Sequence, residues 1–415
     1  MTKFYDALET RNTQEREAAL LAALPGQVAH AQRHAPAFGQ ILAGVDAAGI
    51  TTRAALARLP VTRKHELLER QQAERSHNVF GGFATAGFGA TMPRVFASPG
   101  PIYEPEGTRS DYWRMARALY AAGFRSGELI HNCFSYHFVP AGSMMESGAH
   151  ALGCTVFPGG TGQTEQQVQA MADLRPAGYI GTPSFLKLIV EKAQEMKVPL
   201  PSVTKALLSA EAFPPSLRDW FAERGIAGYQ CYGTADLGLI AYETAAREGL
   251  VMDENVVVEI VRPGTGDPVP EGEVGELVIT TLNTDYPLIR FGTGDLSAIL
   301  PGTCPTGRTN TRIKGWLGRA DQTTKVRGLF VHPGQVASIT SRFPQVLRAR
   351  LIVRGEMAND QMVLQVETTE TGGGLAPRLQ DAIREVTKLR GEVELVAPGT
   401  LPNDGKVIED ARSYR

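Results

Sequence analysis

The chain has 415 residues, a formal net charge of −2, 43% hydrophobic residues and 21% charged ones. That length exceeds one ordinary hydrophobic core, so two domains are expected, and the near-neutral balance excludes the basic field that gathers nucleic acid. No apolar run approaches the roughly 20 residues that span a bilayer, and the polar start MTKFYDALETRNTQERE lacks a signal peptide's apolar core, so cytoplasmic residence without membrane association is the expectation.

In chain order, Glu15 to Leu42 reads as two helices broken at Pro25-Gly26. Thr62, with Glu66 in the following turn, marks a capped helix start in LPVTRKHELLER. Arg94 to Ala97 is a short strand running into SPGP, and Asp111 to Ala122 is an amphipathic helix with Trp113 facing the core. From Glu128 onward the rhythm is strand, turn, helix: ELIHNCF, MMESGAHALG, CTVFPGG, EQQVQAMADLRP, AGYIGTPSFLKLIVEKAQEM and KALLSAEAFPPSLRDWFAERG. Such alternation predicts a parallel sheet covered by helices, with ligands at the carboxyl ends of its strands. Beyond Leu250, VVVEIV, GELVITTL and PLIRFGTGDLSAIL read as antiparallel β-structure between Pro/Gly turns, and residues 348–397 as β-β-α-β. The stretch GRADQTTKVRGLFVHPG (Gly318 to Gly334) reads as a hinge. The fold class expected is therefore α/β. A large N-terminal domain (1–320) carries helix-covered parallel sheets and a small β-rich subdomain. A small, mobile α+β C-terminal domain (321–415) follows. Cys133, Cys154, Cys231 and Cys304 form no CxxC pair and are expected to be buried thiols.

TPSF, SAEAF, CYGTADLG, GELVITTLNTDYPLIRFGTGDL, GRADQTTKVRG and LPNDGK stand in this order along the chain. In order and spacing they resemble the phenylacetate–coenzyme A ligase family of adenylate-forming ligases, from about Glu15 to the C-terminus. The resemblance implies two half-reactions. A carboxylic acid, here an aromatic or arylalkanoic one, reacts with ATP to give an acyl-adenylate and pyrophosphate. Domain rotation then lets the thiol of coenzyme A displace AMP. It also implies Mg²⁺, small-molecule partners only, and allows a homodimer.

Residue by residue, the resemblance makes Lys406 the catalytic lysine, an ammonium able to neutralise charge at the α-phosphate. Asp295 matches the acid that accepts the ribose hydroxyls, and Arg319 the arginine beside ribose and phosphate. Tyr232 and Gly233 match the adenine-stacking aromatic and its neighbour, with Thr234 following, and Ala210, Glu211 and Ala212 match the opposite wall. Asp236 stands where the family has a glutamate near Mg²⁺. Asp321 matches the hinge, and Lys325 belongs to a basic stretch that reaches pyrophosphate or coenzyme A. The acyl pocket draws on Phe134, Tyr136, His137, Phe138, Met144 and Phe185, an aromatic set suited to an aryl acid, although several of these must simply be core.

Two stretches depart from the pattern. Where the family carries a loop like SSGTTGKP to wrap the β- and γ-phosphates, this chain reads SPGPIYEP. Pro99 and Pro101 lack N–H donors, and Glu104 stands about where the lysine belongs, a repulsive charge in place of an attractive one. Ala235 likewise replaces a hydroxyl residue. The alternative is thus a family member that binds AMP, acyl-adenylate or thioester without normal ATP-dependent activation. Of a Cys/His zinc site seen in some relatives, only Cys304 remains, with Thr244, Val251 and Thr306 at the other places. One thiolate does not make a tetrahedral site, so no structural zinc is expected.

Overall fold

The computed structural model describes all residues except 1–2, 263–264, 321, 323, 328, 332, 356–359, 371–373, 403–405 and 413–415. It is mixed α/β and divides into two compact units, Met1–Leu317 and Gly318–Arg415.

The larger unit is built on a nine-stranded sheet. Its strand order is Ile299–Leu300, Arg312–Ile313, Leu250–Met252, Gly238–Glu243, Ala227–Thr234, Lys205–Leu208, Gly178–Gly181, Leu129–Asn132, Thr155–Phe157. The last five pair in parallel. The four before Ala227–Thr234 in sequence are short apolar runs, each followed by a helix: Ala141–Ala151, Thr164–Leu174, Pro183–Met196 and Pro215–Ala222. A strand buried on both faces needs such a continuous apolar run, and Gly178–Gly181 is buried throughout. Past Ala227–Thr234 the pairing turns antiparallel. That strand is therefore where the sheet passes from parallel to antiparallel pairing, and its carboxyl end lies on the same rim as those of its parallel neighbours.

A second sheet orders Thr62–Arg63, Phe291–Ser297, Gly275–Thr281 and Val256–Val261. Thr62–Arg63 joins Phe291–Ser297 in parallel, and the other pairs are antiparallel, as the β-rich texture beyond Leu250 predicts. Arg94–Ser98 and Ile102–Glu106 form a separate hairpin.

Two local readings need correction. The chain does not break at Pro25: one helix runs Thr13–His34 with Pro25 inside it, and the break comes at Ala35 before the Pro36–Ile41 helix. Leu20, Leu24, Val28 and Ala31 lie on one buried stripe. Burying each large member is worth about 1.5–3 kcal/mol, which together outweighs the ~3 kcal/mol cost of an interior proline. The helix expected from Asp111 begins only at Met115, because Asp111 and Arg114 take left-handed φ of 50° and 64°. Asp111 serves instead as a cap, its Oδ2 accepting from the Ala116 N–H at 3.1 Å. Trp113 is buried as expected.

The smaller unit has a hairpin, Thr324–Val326 with Leu329–Val331, then the helix Pro333–Thr340. A four-stranded sheet follows in the order Glu392–Val396, Gln361–Glu367, Arg348–Arg354, Ile408–Asp410. The helix Leu375–Thr387 covers it with Leu375, Leu379, Ala382 and Ile383, the spacing of one helical face. The β-β-α-β reading holds, and Ile408–Asp410 adds a parallel strand beside Arg348–Arg354. Among the described residues, no helix is long and apolar enough to cross a membrane.

Candidate active site

The Ala227–Thr234 strand delivers Tyr232, Gly233 and Thr234 to the rim, and folds back through Asp236 into Gly238–Glu243. The register shifts between Tyr232 and Gly233, and a Cβ on Gly233 would meet the Gly238 carbonyl oxygen at 2.5 Å. Glycine is thus required by the hairpin itself, a reason separate from any approach to a ligand. Thr234 Oγ1 accepts from the Leu237 N–H at 3.2 Å and fixes the turn. From below, Arg114 donates to the Leu239 carbonyl at 3.0 Å and to Asp253 at 2.9 Å.

Asp295, 8% exposed, comes from the second sheet. The Tyr232 hydroxyl donates to its Oδ2 at 2.7 Å, and the Trp316 Nε1–H donates to its Oδ1 at 3.1 Å. Two side chains far apart in sequence therefore converge on the carboxylate of a third. The sequence pattern singled out Tyr232 and Asp295 but not Trp316, whose signal was its place two residues before the GRAD motif.

Ala210, Glu211 and Ala212 lie just past the Lys205–Leu208 strand, which neighbours Ala227–Thr234 in the sheet. Ser209 Oγ donates to the Cys231 carbonyl at 2.8 Å and holds this loop against the Tyr232 strand. Ala210 sits at a left-handed φ of 67°, an uncommon conformation for a side chain with a Cβ. Glu211 is exposed and accepts from the Ser184 N–H at 3.2 Å.

Asp236 is buried; Lys64 Nζ donates to its Oδ2 at 2.9 Å, and its Oδ1 makes no hydrogen bond. Lys64 opens the Lys64–Glu74 helix, one residue later than the Thr62-capped start suggests; Glu66 accepts from the Arg63 N–H at 2.8 Å there.

Glu104 is not the exposed, repulsive charge that the pattern SPGPIYEP suggests. It is 0% exposed. Ser98 donates to it through both its backbone N–H, at 3.2 Å, and its hydroxyl. The cause is strand alternation: in the hairpin register Glu104 lies opposite Phe96 and Ser98 opposite Ile102, which turns the carboxyl inward. Burial, aided by the negative charge of Asp236, pushes its pKa up to about 8.

The aromatic set scatters. Phe134 and Met144 pack together in the core. The Tyr136 hydroxyl donates to Glu146 at 2.7 Å and accepts from Asn132 at 2.8 Å. Phe185 is half-buried, His137 is exposed, and Phe138 is 81% exposed. Arg319, Lys325 and the exposed Lys406 belong to the smaller unit. Asp321, the expected hinge, lies outside the described residues. All four cysteines are buried free thiols. Thr244 and Thr306 do gather round Cys304, at 3.4 and 3.0 Å, and among the described residues no group of three His, Cys, Asp or Glu is placed to hold a metal.

A family model described as AMP-binding enzyme matches residues 110–284, beginning just after the Glu104 hairpin. The phenylacetate-coenzyme A ligase of Thermus thermophilus is 34% identical over 381 residues, spanning 88% of this chain and 84% of that one. The chain belongs to the phenylacetate–coenzyme A ligase family. The family member of Escherichia coli K12 is 29% identical over 431 residues, 97% of this chain and 95% of that one. Among solved structures, a 2-hydroxyisobutyryl-CoA ligase in complex with 2-HIB-AMP and CoA, in the thioesterification state, matches with TM-score 0.82 and 25% identity. The match covers 100% of this chain and 93% of that one. An open conformation of the same ligase matches at TM-score 0.73, covering 99% and 95%. As a family member the chain is an enzyme of the AMP-forming ligase class.

Proposed function

We propose that this enzyme joins an aromatic or arylalkanoic acid to coenzyme A through an acyl-adenylate. The observation that carries the reading is the meeting of Tyr232 and Asp295 at the carboxyl end of the strand where the large sheet passes from parallel to antiparallel pairing. The ring offers a π-face to adenine, and a carboxylate is the group suited to accept from two adjacent ribose hydroxyls. The relatives named phenylacetate-coenzyme A ligases and the solved ligase holding an acyl-AMP and CoA support the same chemistry.

In the first step a carboxylate oxygen of the acid attacks the α-phosphorus of ATP, and the bond to the β-phosphate oxygen breaks, releasing pyrophosphate. Lys406 neutralises the charge building between the two anions, with Arg319 beside the ribose and phosphate. In the second, the thiol sulfur attacks the acyl carbon, the acyl–phosphate bond breaks, and AMP leaves with the electron pair. The domains 1–320 and 321–415 divide these roles, and Asp321 supplies the rotation between steps. The orphaned, buried Oδ1 of Asp236 is a hard oxygen of the kind Mg²⁺ takes; Mg²⁺ would supply charge neutralisation at the phosphates. Tyr136 and Phe185 remain the aromatic candidates for the acyl side, and Lys325 for the coenzyme's phosphates.

A second reading is favoured by one feature. The hairpin tip Pro99-Gly100-Pro101 is poor in N–H donors, so a member that binds AMP without activating acids stands as the rival. Acid-dependent ATP–pyrophosphate exchange separates the two. Exchange stimulated by phenylacetate or another aryl acid supports the ligase, and AMP binding with no exchange across a panel of acids supports the rival.

A further inference from the structure

Two things are missing from the rim. The hairpin tip gives no lysine, and its one inward hydroxyl, Ser98, is spent on Glu104. A triphosphate at this rim would meet a site short of positive charge. Yet a cation stands there, supplied from an unrelated part of the chain. Lys64, 172 positions before Asp236, sets its ammonium 2.9 Å from the Asp236 carboxylate, and Glu104 feels the charges of both. We infer that Lys64 grips the β- and γ-phosphates of ATP, and the released pyrophosphate, in place of the hairpin lysine this chain lacks.

Four observations carry this. Asp236 lies in the turn just past the Tyr232–Thr234 strand end, so Lys64 stands at the same strand end that carries Tyr232. Asp236 is nine-tenths buried with one oxygen unpartnered, a site built to hold more positive charge than Lys64 alone supplies. The Lys64 side chain is 36% exposed, so its four-carbon stem has solvent-side room to swing from carboxylate to phosphate. Lys64 is also the first residue of an eleven-residue helix, whose N-terminal dipole favours an arriving anion. Beside it, Arg63 is held by both oxygens of Glu276 at 2.6 and 2.7 Å, whereas Lys64 pairs with Asp236. Asp236, whose Oδ1 makes no hydrogen bond, would hold Mg²⁺ beside the Lys64 ammonium, and the ion would add charge neutralisation at the phosphates.

The inference rests on the reading of the site as a nucleotide site, and pyrophosphate binding tests it without needing acid activation. Titration calorimetry on the full chain with Mg²⁺ would use pyrophosphate, ATP and AMP as probes, with Lys64→Gln, Lys64→Ala and Lys64→Arg. Lys64→Gln and Lys64→Ala should weaken pyrophosphate and ATP on the order of tenfold or more while AMP stays within about twofold, and Lys64→Arg should recover most of the loss. Unchanged pyrophosphate affinity in Lys64→Gln overturns the inference. So does an equal fall for all three ligands with no rescue by arginine, which would reduce Lys64 to a prop for Asp236. Pyrophosphate binding that depends on Lys64, in a protein without acid-dependent exchange, would uphold the grip and defeat the activation reading instead.

Discussion

Tyr232 donates its hydroxyl hydrogen to Asp295 across 2.7 Å, and in doing so ties the Ala227–Thr234 strand of the nine-stranded sheet to the Phe291–Ser297 strand of the second sheet. The bond is both a structural tie and a way of aiming a carboxylate. Its two roles come apart on mutation. Tyr232→Phe keeps the ring and loses the donation, which should cost about 1.5–3 kcal/mol of stability, the worth of a hydrogen bond to a charged acceptor. AMP affinity should fall less than for Tyr232→Ala, which also removes the stacking face. Chemical denaturation and AMP titration on the two variants check this.

Asp295→Asn keeps the shape but removes the charge and turns one acceptor into a donor. AMP affinity should fall by roughly tenfold, because charge-assisted hydrogen bonds are about twice as strong as neutral ones. Stability should fall too, since the amide oxygen accepts from only one of the two donors and its NH2 then faces the other, Tyr232 or Trp316. A thermal melt beside the AMP titration separates these two effects.

Gly233→Ala tests the rim. The added methyl would lie 2.5 Å from the Gly238 carbonyl oxygen, a contact that forces backbone to move. A cost of about 1–3 kcal/mol is expected. The damage should also reach Asp236 in the same turn, so pyrophosphate binding should weaken along with the melting temperature.

Glu104 makes a pH prediction. Its folded pKa, pushed up to about 8 by burial and by Asp236, lies above that of the unfolded chain. Between those values the folded state holds the proton that the unfolded state has lost. This contribution is fully present below the unfolded pKa and is lost as pH rises from about 4 through about 8. Glu104→Gln keeps a neutral, hydrogen-bonding side chain and should abolish that loss, so its stability relative to wild type should grow from pH 5 to pH 9. Glu104→Lys would not restore a phosphate loop. It would put an ammonium where the side chain is fully buried, and should destabilise by several kcal/mol.

Lys406→Ala should depress acid-dependent ATP–pyrophosphate exchange by 10²-fold or more, the order found when one transition-state charge partner is removed. Thioester formation from a supplied acyl-adenylate should persist. Measuring both half-reactions on one preparation checks the assignment.

Much of the architecture was legible because its signals are local. Short apolar runs alternating with glycine turns and helices gave the parallel strands from Leu129 to Thr234, and the β-rich texture after Leu250 gave the antiparallel second sheet. Tyr232 and Asp295 were legible because their motifs occur together in order. What escaped was long-range. Lys64 looked like an ordinary helix start, because its partner lies 172 positions on. Trp316 reaches Asp295 across 21 positions and carries no motif of its own. Glu104 was misread because a linear comparison with a phosphate loop treats every position as facing the ligand, whereas a hairpin sends alternate side chains inward. An aromatic beside a strand end likewise carries no mark of the direction it faces, and the Phe138 side chain is exposed.

The central claim is that AMP rests on Tyr232 with its ribose held by Asp295. The most direct measurement is a crystal structure of the full chain grown with AMP. The account predicts a ribose hydroxyl within about 3.2 Å of the Asp295 carboxylate and the adenine stacked on the Tyr232 ring. AMP seated elsewhere, or a ribose that leaves Asp295 to Tyr232 and Trp316 alone, would contradict it.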